Sequence, residues 1–118
     1  MSDFQHFRVR HADDVLIVEL VDPLLFDVAI VMVWQEEFLR LVDLELPKRA
    51  IVDFSQVEHC STSVVNGLLS AKKRITRNGG QIKLCGMVEP IRDAYRMLNL
   101  DGTVFLIYET IDDAVAAF

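Results

Sequence analysis

Only two cysteines, Cys60 and Cys85, occur in 118 residues, and they form no C-x-x-C pair. The three histidines, His6, His11 and His59, show no metal-ligand spacing either. Metal binding is therefore not expected, and the thiols read as small buried hydrophobes. A membrane-length apolar run is also missing. The most apolar stretch, Val15 to Val33, is broken by Glu19, Asp22, Pro23 and Asp27, whereas a span needs about 20 predominantly apolar residues. The first residues carry no basic segment followed by an apolar one, so no secretory signal is read. The expectation is a cytoplasmic protein without membrane insertion. Excess positive charge is absent too: the net charge is -6, whereas a nucleic-acid binder is expected to carry a basic field. No Pro/Gly/Ser-rich linker, internal repeat or low-complexity segment divides the chain. Its length suits one domain over residues 1–118.

What is present is material for a core, with 52% apolar and 25% charged residues. Phe7 to Val9 and Val15 to Leu20 read as two strands joined by a turn over His11 to Asp14. From Val31 to Leu44 the apolar residues Val31, Trp34, Phe38, Leu41 and Val42 recur at helical spacing, with Gln35, Glu36, Glu37 and Arg40 between. After Pro47, the mostly apolar run Arg49 to Phe54 suggests a central strand covered on both faces. A second helix is predicted from Ser61 or Thr62 to Arg77, with Val64, Val65, Leu68, Ala71 and Ile75 inward. Asn78-Gly79-Gly80 closes it, since glycine supplies the left-handed cap conformation, and Lys72, Lys73, Arg74 and Arg77 favour its negative end. A strand over Gln81 to Cys85, a helix over Ile91 to Leu98 opened by Pro90, a strand over Val104 to Tyr108 and a helix capped by Thr110 complete the chain. Thr110-Ile111-Asp112-Asp113 has the shape of a capping box.

The order ββαβαβαβα predicts an α/β fold: a mixed central sheet with an antiparallel N-terminal edge and right-handed crossovers between its parallel strands. Open sheets of this kind place their sites in loops at the carboxyl ends of strands. Such a loop runs here from Asp53 to Ser63 and ends in three consecutive hydroxyls, Ser61-Thr62-Ser63. They can cap backbone N–H groups, or present a phosphoryl acceptor against a positive helix end.

Asp53-Phe54-Ser55-Gln56-Val57 resembles the D-L-S-x-V strand of STAS domains, named for sulfate transporters and anti-sigma-factor antagonists. That family opens the following helix with D-S-S-G or S-S-A-G, where Ser61-Thr62-Ser63-Val64 stands here. Asn78-Gly79-Gly80 with Ile82-Lys83-Leu84-Cys85-Gly86 is similar to its G-G-x-L-x-L-x-G. Val88 to Leu98, followed by Leu100-Asp101-Gly102-Thr103-Val104-Phe105, resembles its closing V-x-x-x-F-x-x-x-x-L-D-x-x-F. The likeness covers essentially the whole chain and implies a STAS-like fold with helices mainly on one face of the sheet.

In stand-alone members of that family, a serine kinase that is also the anti-sigma factor phosphorylates the first hydroxyl after the Asp. A metal-dependent phosphatase reverses it. Carried over by position, Thr62 takes the acceptor slot, with Ser61 and Ser63 as second and third candidates. Ser61 occupies the Asp slot, and Val64 replaces the family's Gly with a stiffer residue. The resemblance implies partner binding through Asp53, Ser55, His59, Cys60, Ser61, Thr62, Ser63 and Asn66. The other functional expectation is an unphosphorylated STAS subunit of a transporter or signalling scaffold, in which the hydroxyls only cap the helix.

No catalytic residue and no cofactor are expected. His59 shares a loop with Ser61 and no orienting acid is assignable, so no Ser-His-Asp constellation forms. Gly79-Gly80 is too short to cradle a phosphate.

Overall fold

The computed structural model describes residues 4–118. β1 (Phe7–Ala12) and β2 (Val15–Leu20) pair antiparallel, from Phe7 opposite Leu20 to Ala12 opposite Val15. The two residues between them, Asp13 and Asp14, have φ of 51° and 66°. Consecutive positive φ values make a two-residue turn whose twist matches that of the strands, and Asp tolerates the left-handed region better than most residues.

A short β3 (Leu24–Leu25) leads into α1 (Val28–Glu45). Asp27 caps this helix, its Oδ1 accepting from Ala29 N at 2.9 Å and Ile30 N at 3.3 Å. Then follow β4 (Arg49–Asp53), a two-residue β5 (His59–Cys60), α2 (Val64–Arg77), β6 (Gln81–Cys85), α3 (Glu89–Met97), β7 (Ile107–Tyr108) and α4 (Ile111–Ala116). Among the described residues the main sheet runs β1-β2-β4-β6-β7, parallel from β2 onward, while β3 and β5 form a separate parallel pair. This is the expected mixed α/β sheet with an antiparallel edge.

Strand alternation divides the core. Leu16, Val18, Ala50, Val52, Ile82 and Leu84 face α1, α2 and α3 in one large cluster. Val15, Ile17, Ile51 and Cys85 face α4 and its Ala114 in a small one. The helices therefore lie mainly on one face. Trp34, fully buried, sets how closely α1 and α2 approach: a Cβ on Gly67 would sit 2.6 Å from its Cζ3.

Several features differ from expectation. β1 runs on through His11 and Ala12, which pair with Leu16 and Val15, so the turn is Asp13-Asp14 alone. The first helix begins at Val28 and not at Val31, because Asp27 caps it one turn earlier. The last strand is reduced to Ile107–Tyr108, because Val104 N and Phe105 N both donate to Leu100 O and Gly102 N to Phe105 O, closing residues 100–105 into turns. β3 and β5 were not foreseen. The second helix begins at Val64, not at Ser61 or Thr62. Its other end is as expected: Gly79, at φ +78°, lets Gly80 N bond Ile75 O and its own N–H bond Thr76 O.

Candidate functional site

The loop from Asp53 to Ser63 is held at several points by backbone bonds. Phe54 N donates to Cys85 O, Glu58 N and His59 N both donate to Pro23 O, and Ser61 N donates to Leu25 O. β3 thus pins the loop and delivers the three hydroxyls to the start of α2.

Those hydroxyls are not equivalent. Ser61 Oγ accepts from Ser63 N at 3.1 Å and lies 2.7 Å from Ser63 Oγ. Ser61 is the residue that caps, although the helix boundary falls at Ser63, whose side chain makes no cap bond. The backbone over this stretch winds as i→i+3 turns, with Val64 N, Val65 N and Asn66 N donating to Ser61 O, Thr62 O and Ser63 O. Thr62 is exposed, and among the described residues its hydroxyl has no hydrogen-bond partner. Val64, where the resemblance would place glycine, is fully buried in the large core.

His59, Cys60, Ser61 and Thr62 line one side of a cleft of about 490 Å³. Pro90, Ile91, Ala94 and Tyr95 of α3 line the other, and Leu24 and Phe26 close its end. The Cys60 thiol points to Ser61 O at 3.6 Å, and burial pushes its pKa up to about 12, so it stays a protonated, poorly nucleophilic thiol. Tyr95 is buried edge-on to Phe54, and its phenol is raised by burial first and by Cys60 second. Thr62 and Ser63 also border a second depression with Asn66 and Leu98.

Asp53 and Ser55 lie elsewhere. Asp53 shares strand parity with Ile51, on the α4 side, and is only 6% exposed. Its Oδ1 accepts from Ser55 N at 3.0 Å and its Oδ2 from Ser55 Oγ at 2.9 Å. Gly86, at φ +76°, makes room for this turn: a Cβ there would lie 2.5 Å from Asp53 Oδ1. The Cys85 thiol faces the same oxygen at 3.7 Å, and burial with the Asp53 charge pushes it up to about 12. The pair shapes the entrance to the loop while the hydroxyls shape its exit.

The basic residues of α2 are partly committed. Lys72 bonds Val104 O over the Phe105 ring, and Arg74 pairs with Asp43 at 2.7 Å. Sequence reasoning missed the apolar walls of the cleft. The available signal was Leu24-Leu25-Phe26, a strand-like triplet whose middle member alone is buried.

The molecule is thus a small α/β module whose candidate site is a pinned surface loop over an apolar cleft. Residues 6–114 match the STAS domain, and the chain belongs to that family. Comparison with curated proteins gives no match. Among solved structures it is similar to an anti-sigma factor antagonist from Mycobacterium paratuberculosis (TM-score 0.81, 21% identity, 94% of this chain and 91% of that one). It is also similar to the Bacillus cell fate determinant SpoIIAA in its phosphorylated form (0.68, 13%, 94% and 97%). The murine Slc26a9 anion transporter is a third neighbour (0.71, 20%, 92% of this chain and 18% of that one). At these identities the likeness is one of fold. Among the described residues no helix is long and apolar enough to cross a membrane.

Proposed function

We propose that this chain is a cytoplasmic protein-binding switch of the anti-sigma-factor-antagonist type, acting by docking and not by catalysis, and toggled by phosphorylation of Thr62. The observation that carries the reading is the division among the three hydroxyls. Ser61 and Ser63 hold each other and the helix start, while the exposed Thr62 hydroxyl is uncommitted at the rim of an apolar cleft.

The physical consequence of phosphorylation follows from that position. A phosphate adds a charge of about -1.5 to -2. The first N–H groups of α2 are already taken by turn bonds, so the helix offers the phosphate its dipole and few free donors. A partner covering the cleft would have to strip water from that charge, and docking is lost. The partners this reading calls for are an anti-sigma factor that is also a serine/threonine kinase, and a metal-dependent serine phosphatase. The known phosphorylated form of the similar SpoIIAA supports it.

Incubation with the cognate kinase and ATP, followed by mass-spectrometric mapping, is expected to place phosphate on Thr62. Absence of label on residues 61–63 sinks the mechanism. A constitutive role in a transporter or scaffold draws on the likeness to Slc26a9 and on the capping geometry of Ser61. It predicts that Thr62→Glu leaves partner affinity unchanged. The switch predicts a loss of about tenfold or more, or roughly 1.4 kcal/mol.

A further inference from the structure

Beside the hydroxyl loop several large apolar side chains stand exposed close together in the chain. Leu24 is 50% exposed, Phe26 52%, Val28 74% and Met32 66%. Leu24 and Phe26 close the end of the cleft. Asp27 then starts α1, and Val28 and Met32 stand one turn apart along its outer side. Contiguous exposed apolar surface of this kind marks interaction sites, and methionine adapts readily to a bound surface.

Charge narrows the occupant. No Lys or Arg occurs between Arg10 and Arg40, or between Arg49 and Lys72. On the α3 side the cleft has Arg92 within its span, but that guanidinium is held by Asp101 at 3.0 Å and by Ile107 O at 3.1 Å. The carboxylates at the border are exposed: Glu58 in the cleft wall beside His59, Glu36 one turn beyond Met32, and Asp27, which also caps α1. A second copy of this chain would bring the same carboxylates face to face, and an anionic bilayer would meet them with like charge. We infer that the cleft and the Leu24–Met32 ridge together receive an apolar segment of a partner protein edged with Lys or Arg side chains. The inference deepens the proposed function and rests on it for the role of Thr62, whose phosphate would stand at the rim of this surface. Docking itself needs no phosphate.

The test uses the full, unphosphorylated chain, labelled with ¹⁵N. It is titrated with a synthetic amphipathic helical peptide of leucine and lysine, and with the matching leucine–glutamate peptide. The lysine peptide is expected to move amide resonances of residues 24–32, 58–62 and 90–95. Phe26→Ser or Met32→Ser should each weaken it about tenfold, the scale of losing one apolar anchor. Both positions are exposed, so both variants are expected to fold. Glu58→Gln should weaken it less, and Asp112→Asn on the far face should leave it unchanged. Equal binding of the glutamate peptide, shifts centred on α4, or insensitivity to both serine variants would overturn the inference. So would concentration-dependent self-association through residues 24–32 without peptide, or capture of the chain by phosphatidylglycerol vesicles through them. A chain that binds the lysine peptide but accepts no phosphate on residues 61–63 keeps this surface and loses the switch. The reverse result keeps the switch and loses this surface.

Discussion

The two faces of the sheet solve the burial problem differently. On the α1–α3 side, Phe7, Trp34, Phe38, Phe54 and Phe105 are fully buried, with Trp34 stacked on Phe38 at 5.3 Å and Phe7 edge-on to Phe38 at 6.3 Å. On the α4 side the buried cluster is a handful of small aliphatics and Cys85, flanked by two buried charges, Lys83 and Asp53. Lys83 Nζ donates to Ala117 O at 2.6 Å and lies 4.3 Å from the Phe118 ring centroid, tying the end of α4 to the sheet. The first face is held mainly by aromatic bulk, with Glu37 as a buried, hydrogen-bonded charge at its edge. The second has a smaller apolar cluster and leans more on its two hydrogen-bonded charges. The candidate site sits at the rim of the first, beside the half-exposed Leu24 and Phe26.

The largest effect expected from this contrast is on the aromatic face. Trp34→Ala should cost about 3–5 kcal/mol in urea unfolding, through lost transfer energy and an unfilled cavity against Gly67. Lys83→Met should cost about 1–2 kcal/mol, because methionine keeps most of the stem while the hydrogen bond to Ala117 O and the cation–π contact with Phe118 are lost. Equal costs would break the contrast.

Alkaline pH probes the thiols, one on each side. Both have folded pKa values raised from 9.0 to about 12. The unfolded chain therefore releases its thiol protons first. Stability is fully present below pH 9 and falls as the pH rises from 9 towards 12. The difference in urea midpoint between the native chain and Cys85→Ala should narrow across that window. A constant difference would mean that Cys85 titrates normally in the folded state.

Asp53 sharpens the contrast on the polar face. Asp53→Ala leaves Ser55 N and Ser55 Oγ without their acceptors and should cost about 1–3 kcal/mol. Because the carboxylate faces α4, it should leave the peptide-induced shifts at Phe26 and Thr62 in place.

These residues also show what could be read without coordinates. The helical stripes Val31-Trp34-Phe38-Leu41-Val42 and Val64-Val65-Leu68-Ala71-Ile75 are all buried as their spacing predicts, because the 3.6-residue period is local. The glycine-closed end of α2 was legible for the same reason. Glu37 was not: read as a solvent residue, it is buried because its carboxylate accepts from Gln5 N and His6 N, 32 and 31 residues away. Lys83, in a strand of apolar neighbours, gives no local sign of the Ala117 carbonyl that holds it. The pairing of β3 with β5 rests on four residues far apart in sequence, too few to leave a periodic trace. At the site, the position of the hydroxyls was legible and which of them caps the helix was not, since that rests on the single bond from Ser63 N to Ser61 Oγ.

The smallest predicted effect bears most on function. Ser61→Ala removes the acceptor of Ser63 N and the partner of Ser63 Oγ, and should cost about 0.5–2 kcal/mol, as for other lost helix caps. Thr62→Ala removes a hydroxyl that has no partner among the described residues and should change stability within the scatter of surface substitutions, about 0.5 kcal/mol. Two neighbouring hydroxyls would then differ in stability, and the silent one is the proposed phosphate acceptor. If Thr62→Ala proves the costlier change, Thr62 is the cap, the uncommitted acceptor is gone, and the constitutive reading gains.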